Sequence, residues 1–347
     1  MNTTNTLWQL RLAQNTDLEA LGALLAPATL EAIDPAEHQP DDQWLVAIPI
    51  TASASAAALG CIRIRRNIGL DQPRYWYHVG SVVHAAPDLG LFHRQQTLLL
   101  GNDHTGCTEL SDIATLDSQL DFEQRRMLTR LLVKAALLWV QQDHFSQSNE
   151  SSLQHASLAH ASADKVIVGL PGLSDSSGIA PFWQGLGRHF YAGDVRLAQT
   201  RFGELWLSHV AALLPRHPLV ASLLNESAQA AIGVVNPDAS LLHDALTEAG
   251  LRAGEHVNLY DAGPVFEGHA ALLRALSGVC TRKLVLQAEL ETTGGYLLIQ
   301  QQAASPALLC LIPACLNAHG ELLVRTADAQ RLALQSGDHV WAEEFKI

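Results

Sequence analysis

The sequence predicts an α+β protein: a mixed, mostly antiparallel sheet with flanking helices, followed by a small β-rich C-terminal module. Three observations predict it. Short segments between residues 7 and 116 read as strands, beginning with the period-two run "LWQLRLA". Between Phe122 and Gln142 the pattern changes, and Met127, Leu128, Leu131, Leu132, Ala135, Ala136, Leu138 and Trp139 recur at helical spacing. From about residue 280 the chain returns to short apolar strands.

"LWQLRLA" (7–13) opens the order as a strand, and "NTDLEALGALLA" (15–26) follows as a helix with Asn15 and Thr16 as cap candidates. "WLVAIPI" and "AALGCIRIRR" are strands around an Ala/Ser-rich turn at 51–57. Three more strands follow at "YWYHVGSVVHAA" (75–86), "QTLLLG" (96–101) and "CTELSDIATL" (107–116). The turn "GNDHTG" between the last two is expected to close a hairpin. After the long helix, "SQSNESSLQHASLAHASAD" (146–164) lacks a pattern and is expected to be a mobile insertion. "DKVIVGLPGL" (164–173) is a strand, and "APFWQGLGRHFY" (180–191) is a helix with an aromatic face. Within 226–251, Asn236 is expected to cap a helix, with Pro237 in its first position and Gly250 ending it. The tail strands are "YLLIQQ", "ALLCLIPACLNA", "GELLVRTA" and "DHVWAEEF", with a turn at "LQSGD" (334–338).

Length and composition narrow the function. A chain of 347 residues suits two or three domains, and 48% hydrophobic against 16% charged residues supplies a sizeable core. The formal charge of −13 argues against a nucleic-acid partner and fits cationic or neutral small molecules. Five cysteines without a C-x-x-C pair read as reduced thiols, and neither a signal peptide nor a membrane-length apolar run is present, so the expected home is the cytoplasm. Sixteen histidines include no H-E-x-x-H or Cys/His spacing, so no metal is expected.

The motifs "YHVGSVVHA" (77–85), "LLLGNDHTGCTEL" (98–110), "PFWQGLGRHFY" (181–191), "LLPRHPLV" (213–220) and "NLYDAGPVFE" (258–267) together closely resemble the bacterial arginine N-succinyltransferase family and its arginine/ornithine-accepting relatives. The resemblance runs from about residue 7 to the C-terminus, with "NDHTG" its most specific part. It implies a GCN5-related N-acyltransferase-like fold. An acyltransferase-like domain would span 1–200, a second acyltransferase-like half 201–279, and the β-rich module 280–347. It also implies transfer of a succinyl group from succinyl-CoA, a co-substrate rather than a bound cofactor, to the α-amino group of arginine or ornithine in arginine degradation. The implied assembly is a homo-oligomer, or a hetero-oligomer with a homologous subunit.

The chemistry of that reaction asks for a base to take the amine proton, a donor to the oxyanion, an acid for the leaving thiolate and backbone N–H groups for the pyrophosphate. By the resemblance, Ile113 falls where succinyl-CoA touches the central strand. Gln124, Arg125 and Arg126 occupy the family's Gly-x-Gly pyrophosphate turn, where arginines attract phosphate by charge but do not replace a glycine cradle. Asn236 occupies the position of the proton-donating histidine, and an amide does not ionise near neutral pH. The substitute acid is then expected to be His217 or a nearby water. Pro171 replaces an Arg of the family. Of the remaining polar set, Asp103 and His104 balance between catalytic and structural roles, whereas His84, Asn102, Thr105, Glu109, Asp112 and Asp261 favour structure. These replacements leave three readings open: an active N-succinyltransferase, a non-catalytic or regulatory subunit paired with an active homologue, and an acyltransferase with another acceptor or donor.

Overall fold

The computed structural model describes residues 7–25, 41–50, 56–150, 165–203, 205–269, 273, 279–290, 294–302 and 305–345, of which 142–150, 299–302 and 305–308 are described as backbone only. In chain order the strands are β1 (Leu7–Leu12), β2 (Asp42–Ile50), β3 (Gly60–Arg65), β4 (Trp76–Ala86), β5 (Leu91–Gly101), β6 (Thr108–Thr115), β7 (Lys165–Gly169), β8 (Leu219–Val220), β9 (Arg252–Asn258), β10 (Pro264–His269), β11 (Cys280–Gln287), β12 (Gly294–Gln302), β13 (Ser305–Leu316), β14 (Leu322–Arg325) and β15 (His339–Phe345). The helices are α1 (Leu18–Leu24), α2 (Phe122–Glu150), α3 (Pro181–Gly185), α4 (Val195–Phe202), α5 (Leu205–Ala211), α6 (Glu226–Ala231), α7 (Ser240–Ala249) and α8 (Thr326–Arg331). The architecture is mixed α+β, as expected.

The chain folds into two compact units built from interleaved stretches. One unit comprises Met1–Ile64, Asp112–Ser152 and Ala270–Ile347; the other comprises Arg65–Ser111 and Leu153–His269. The expected boundaries after residues 200 and 279 do not coincide with these. The reason is hydrogen bonding: β9 and β10, beyond residue 200, pair with β4 and β7, which precede it.

In the first unit, β1 pairs antiparallel with β2 on one side and with β13 on the other. Beyond β13 the strands run β14, β11, β15 and β12, and β12 pairs back onto β13, so five strands close on themselves. The expected β-rich module is therefore a closed ring with one parallel contact, β11 to β14. Leu284, Leu298, Cys310, Ile312, Leu322, Val324 and Val340 fill its core. Helix α2 continues to Glu150, so the first five residues of the expected insertion are helical; the rest, 151–164, lies outside the described residues.

In the second unit the order is β6 (through its first residues), β7, β10, β9, β4, β5 and β8. The β6–β7 contact is parallel, through Thr108↔Val166 and Glu109↔Ile167, and the other pairings are antiparallel. The "GNDHTG" segment consequently does not close a hairpin: β5 and β6 are separated by β7, β10, β9 and β4. Period-two patterning identifies strands but not their partners. A core of Tyr77, Leu98, Phe182, Trp183, Trp206 and Leu259 packs the helices on this sheet. The expected aromatic helix at 180–191 is there in shortened form, as α3 followed by a 3-10 turn at Gly187–His189.

Candidate active site

The "GNDHTG" crossing is pinned at both ends by backbone. Thr105 N–H and Oγ1–H both donate to the Asn102 carbonyl, at 3.0 and 2.7 Å. Gly106, at φ +83°, donates to the Ile68 carbonyl at 2.8 Å, and Ile68 N–H donates to the Cys107 carbonyl. A Cβ at Gly101 would lie 2.7 Å from Asp103 Oδ2 and would displace that exposed carboxylate. This scaffold drives His104 inward until it is fully buried, edge-on to Trp76 at 4.9 Å and to His256 at 4.3 Å between ring centroids. Asp103 instead stays exposed, and its Oδ2 accepts from His256 Nε2 at 3.1 Å.

Burial lowers the His104 pKa to about 4, with the neighbouring His256 and Lys165 adding to the effect, so the ring is neutral near pH 7. Glu267 on β10 lies in the same neighbourhood, paired with Lys165 Nζ at 2.6 Å. His256 and Glu267 carry no signal in the sequence, because Asp103 and His256 are 153 residues apart and only the sheet order unites them. One donor atom from each of His104, His256 and Glu267 lies within 4.8 Å of the others, a set that local spacing rules do not detect.

The other expected acids are committed to structure. Glu109 is buried and accepts a two-pronged pair from Arg74, at 2.6 and 3.0 Å, with Arg65 at 2.8 Å. Asp261 Oδ1 accepts from Gly263 N–H at 2.9 Å in the turn between β9 and β10. His84 faces solvent on the β4–β5 hairpin opposite His93.

Asn236 is a helix cap. Its Oδ1 accepts from Asp238 N–H at 3.0 Å, Pro237 follows in the first helical position, and Gly250 closes α7 in the left-handed region at φ 107°. Its own N–H donates to the Pro171 carbonyl at 2.8 Å, so residues 171 and 236 are backbone neighbours.

The remaining expected residues lie on β6 and α2. Asp112, just before Ile113, takes φ +49°, a left-handed residue inside a strand. Such a residue breaks the regular pleat and turns the following backbone. At the start of α2, Gln124 N–H donates to Asp121 Oδ1 at 2.9 Å while Gln124 Oε1 accepts from Asp121 N–H at 3.0 Å. This reciprocal capping satisfies the N-terminal end of the helix with a carboxylate. Arg125 pairs with Asp117 at 3.0 Å and Arg126 with Glu123 at 3.1 Å, both with largely exposed acids.

A family model described as arginine N-succinyltransferase beta subunit matches residues 15–275. Arginine N-succinyltransferases from Salmonella paratyphi B and Salmonella newport are 31% identical over 217 residues, or 62% of this chain and 58% of each relative's length. The match thus spans rather more than half of those relatives. Arginine/ornithine succinyltransferase subunit AI from Pseudomonas aeruginosa shares the fold, with a TM-score of 0.73 at 20% identity over 98% of this chain and 99% of that one. No helix among the described residues is long and apolar enough to cross a membrane.

Proposed function

The chain belongs to the arginine N-succinyltransferase family, and on that premise we propose that it transfers a succinyl group from succinyl-CoA to the α-amino group of arginine or ornithine. The family match over residues 15–275 carries the proposal. On this reading the fold is of the GCN5-related N-acyltransferase type and the amine attacks the thioester directly. The amine loses a proton, the carbonyl carbon becomes tetrahedral, and the C–S bond breaks to release CoA thiolate, which takes up a proton. The left-handed turn of β6 at Asp112 supports a role for the Ile113 backbone toward the acyl-CoA. The exposed Asp103 carboxylate suits a cationic acceptor. Asn236 supplies no ionisable proton, so the thiolate takes its proton from solvent or from the incoming ammonium, and Asn236→His would restore an acid.

A second reading is favoured by two observations of the same kind. Asn236 and the Asp121–Gln124 pair are both occupied as helix caps, at the positions that the resemblance assigns to an acid and a phosphate turn. The chain would then be a subunit relieved of catalysis, assembled with an active homologous chain.

Thiol release from succinyl-CoA, followed with arginine and with ornithine, separates the two. Turnover by the unmodified chain supports the enzyme. Absence of turnover in the chain and in Asn236→His, with no binding of CoA, overturns it. A rise in kcat of about 100-fold in Asn236→His marks the missing acid as the limiting defect.

A further inference from the structure

We propose that His104, His256 and Glu267 form a site for a zinc-like divalent cation, with Asp103 orienting His256. His104 comes from the β5–β6 crossing, His256 from β9 and Glu267 from the paired strand β10, and their donor atoms already lie within 4.8 Å of one another. Zinc held at about 2.0–2.2 Å from each donor draws the three together by about an ångström, a side-chain adjustment, and leaves a fourth position open.

The second observation concerns unsatisfied buried nitrogen. His104 is fully buried, and among the described residues neither of its ring nitrogens has a hydrogen-bond partner. His256 Nδ1 is buried and equally without a partner. Three such nitrogens in one place are costly, and a cation that takes one nitrogen from each ring satisfies two of them. The tautomer of His256 fits a ligand: Nε2 carries its proton toward Asp103 Oδ2 at 3.1 Å, which leaves the Nδ1 lone pair facing inward. A carboxylate behind a ligating imidazole is the usual way of fixing ring orientation and raising basicity at metal sites. Trp76 closes one side of His104. Glu267 keeps about a third of its side chain exposed, which gives a cation a route in.

Lys165 is the competing cation. Its Nζ sits 2.6 Å from Glu267 Oε2, and it is part-exposed, so it can swing outward as the cation takes the carboxylate. The metal site shares Asp103 with the proposed acceptor site but does not depend on succinyl transfer, and it is tested without measuring activity.

The untagged full chain is stripped with a chelator, re-equilibrated with Zn2+ and gel-filtered, and its metal content is measured; Co2+ in place of Zn2+ gives a visible spectrum that reports imidazole coordination. The expected result is about one equivalent retained. Metal affinity is expected to fall at least about tenfold in His256→Gln and in Glu267→Gln, and by about tenfold or more in Asp103→Asn. Variants that keep the wild-type melting transition of the stripped protein are compared, so that loss of fold is not mistaken for loss of site. A stripped protein that retains no stoichiometric Zn2+ overturns the proposal and leaves the buried nitrogens to water. Equal retention by wild type and by Glu267→Gln and His256→Gln overturns it too, by assigning the metal to other histidines.

Discussion

Ala262 sits in the turn between β9 and β10 at φ +53°, fully buried, while its neighbour Gly263 has Leu170 O only 2.1 Å from where a Cβ would stand. A left-handed alanine costs about 1–2 kcal/mol, partly offset by the extra chain entropy a glycine would lose. Ala262→Gly is therefore expected to raise the denaturant midpoint, by up to about 1 kcal/mol in stability. Gly263→Ala forces backbone apart and is expected to destabilise by about 2 kcal/mol or more. Urea unfolding of the two variants checks both signs. At Asn236 the proposed gain in Asn236→His has a structural cost: the substitution removes the side-chain cap, for an expected loss of about 1 kcal/mol. The cap was legible in the sequence because Asn-Pro-Asp is a local signal. The partners of Asp103 were not, because His256 reaches it only through the sheet order.

Among elements, α2 carries two consequences. Its first turn is closed by the Asp121 carboxylate, which repels a pyrophosphate placed there. If the chain binds succinyl-CoA at this helix, Asp121→Asn keeps a capping side chain, removes the repulsion and lowers the KM for succinyl-CoA; an unchanged KM would place the pyrophosphate elsewhere. Further along, Lys134 pairs with Glu343 of β15 at 2.8 Å, both mostly buried. Burial raises the Glu343 pKa above its ordinary value, with the Lys134 pair acting against that shift. The folded state thus binds this proton more tightly than the unfolded chain. This group's contribution to stability is greatest below pH 4.5 and declines as pH rises through the raised folded value. Removing one partner by Glu343→Ala strands the buried ammonium and is expected to cost about 3 kcal/mol, measured by thermal or urea unfolding at pH 7. Helix α2 was plain in the sequence, since its apolar residues repeat at 3.6. The pairing of β5 with β4 and β8 rather than β6 was not, because alternation fixes which face of a strand is buried and says nothing about its neighbours.

On the scale of the whole molecule, the order of strands along the sequence conceals how the units are made. The apolar runs from 280 onward mark a β-rich ring, but β1, the first described strand, pairs with β13 of that ring. A fragment cut at residue 200 would lack both β9 and β10 from one unit and the entire ring from the other. Such a fragment is expected to unfold without a cooperative transition, checked by circular dichroism during heating. Because the unit Arg65–Ser111 with Leu153–His269 ends before Ala270, synthesis finishes it first. The other unit, begun earlier, stays open until its last stretch leaves the ribosome. During that interval β1, already paired with β2 on one side, leaves open the edge that β13 will later cover, and an open strand edge invites pairing with other chains.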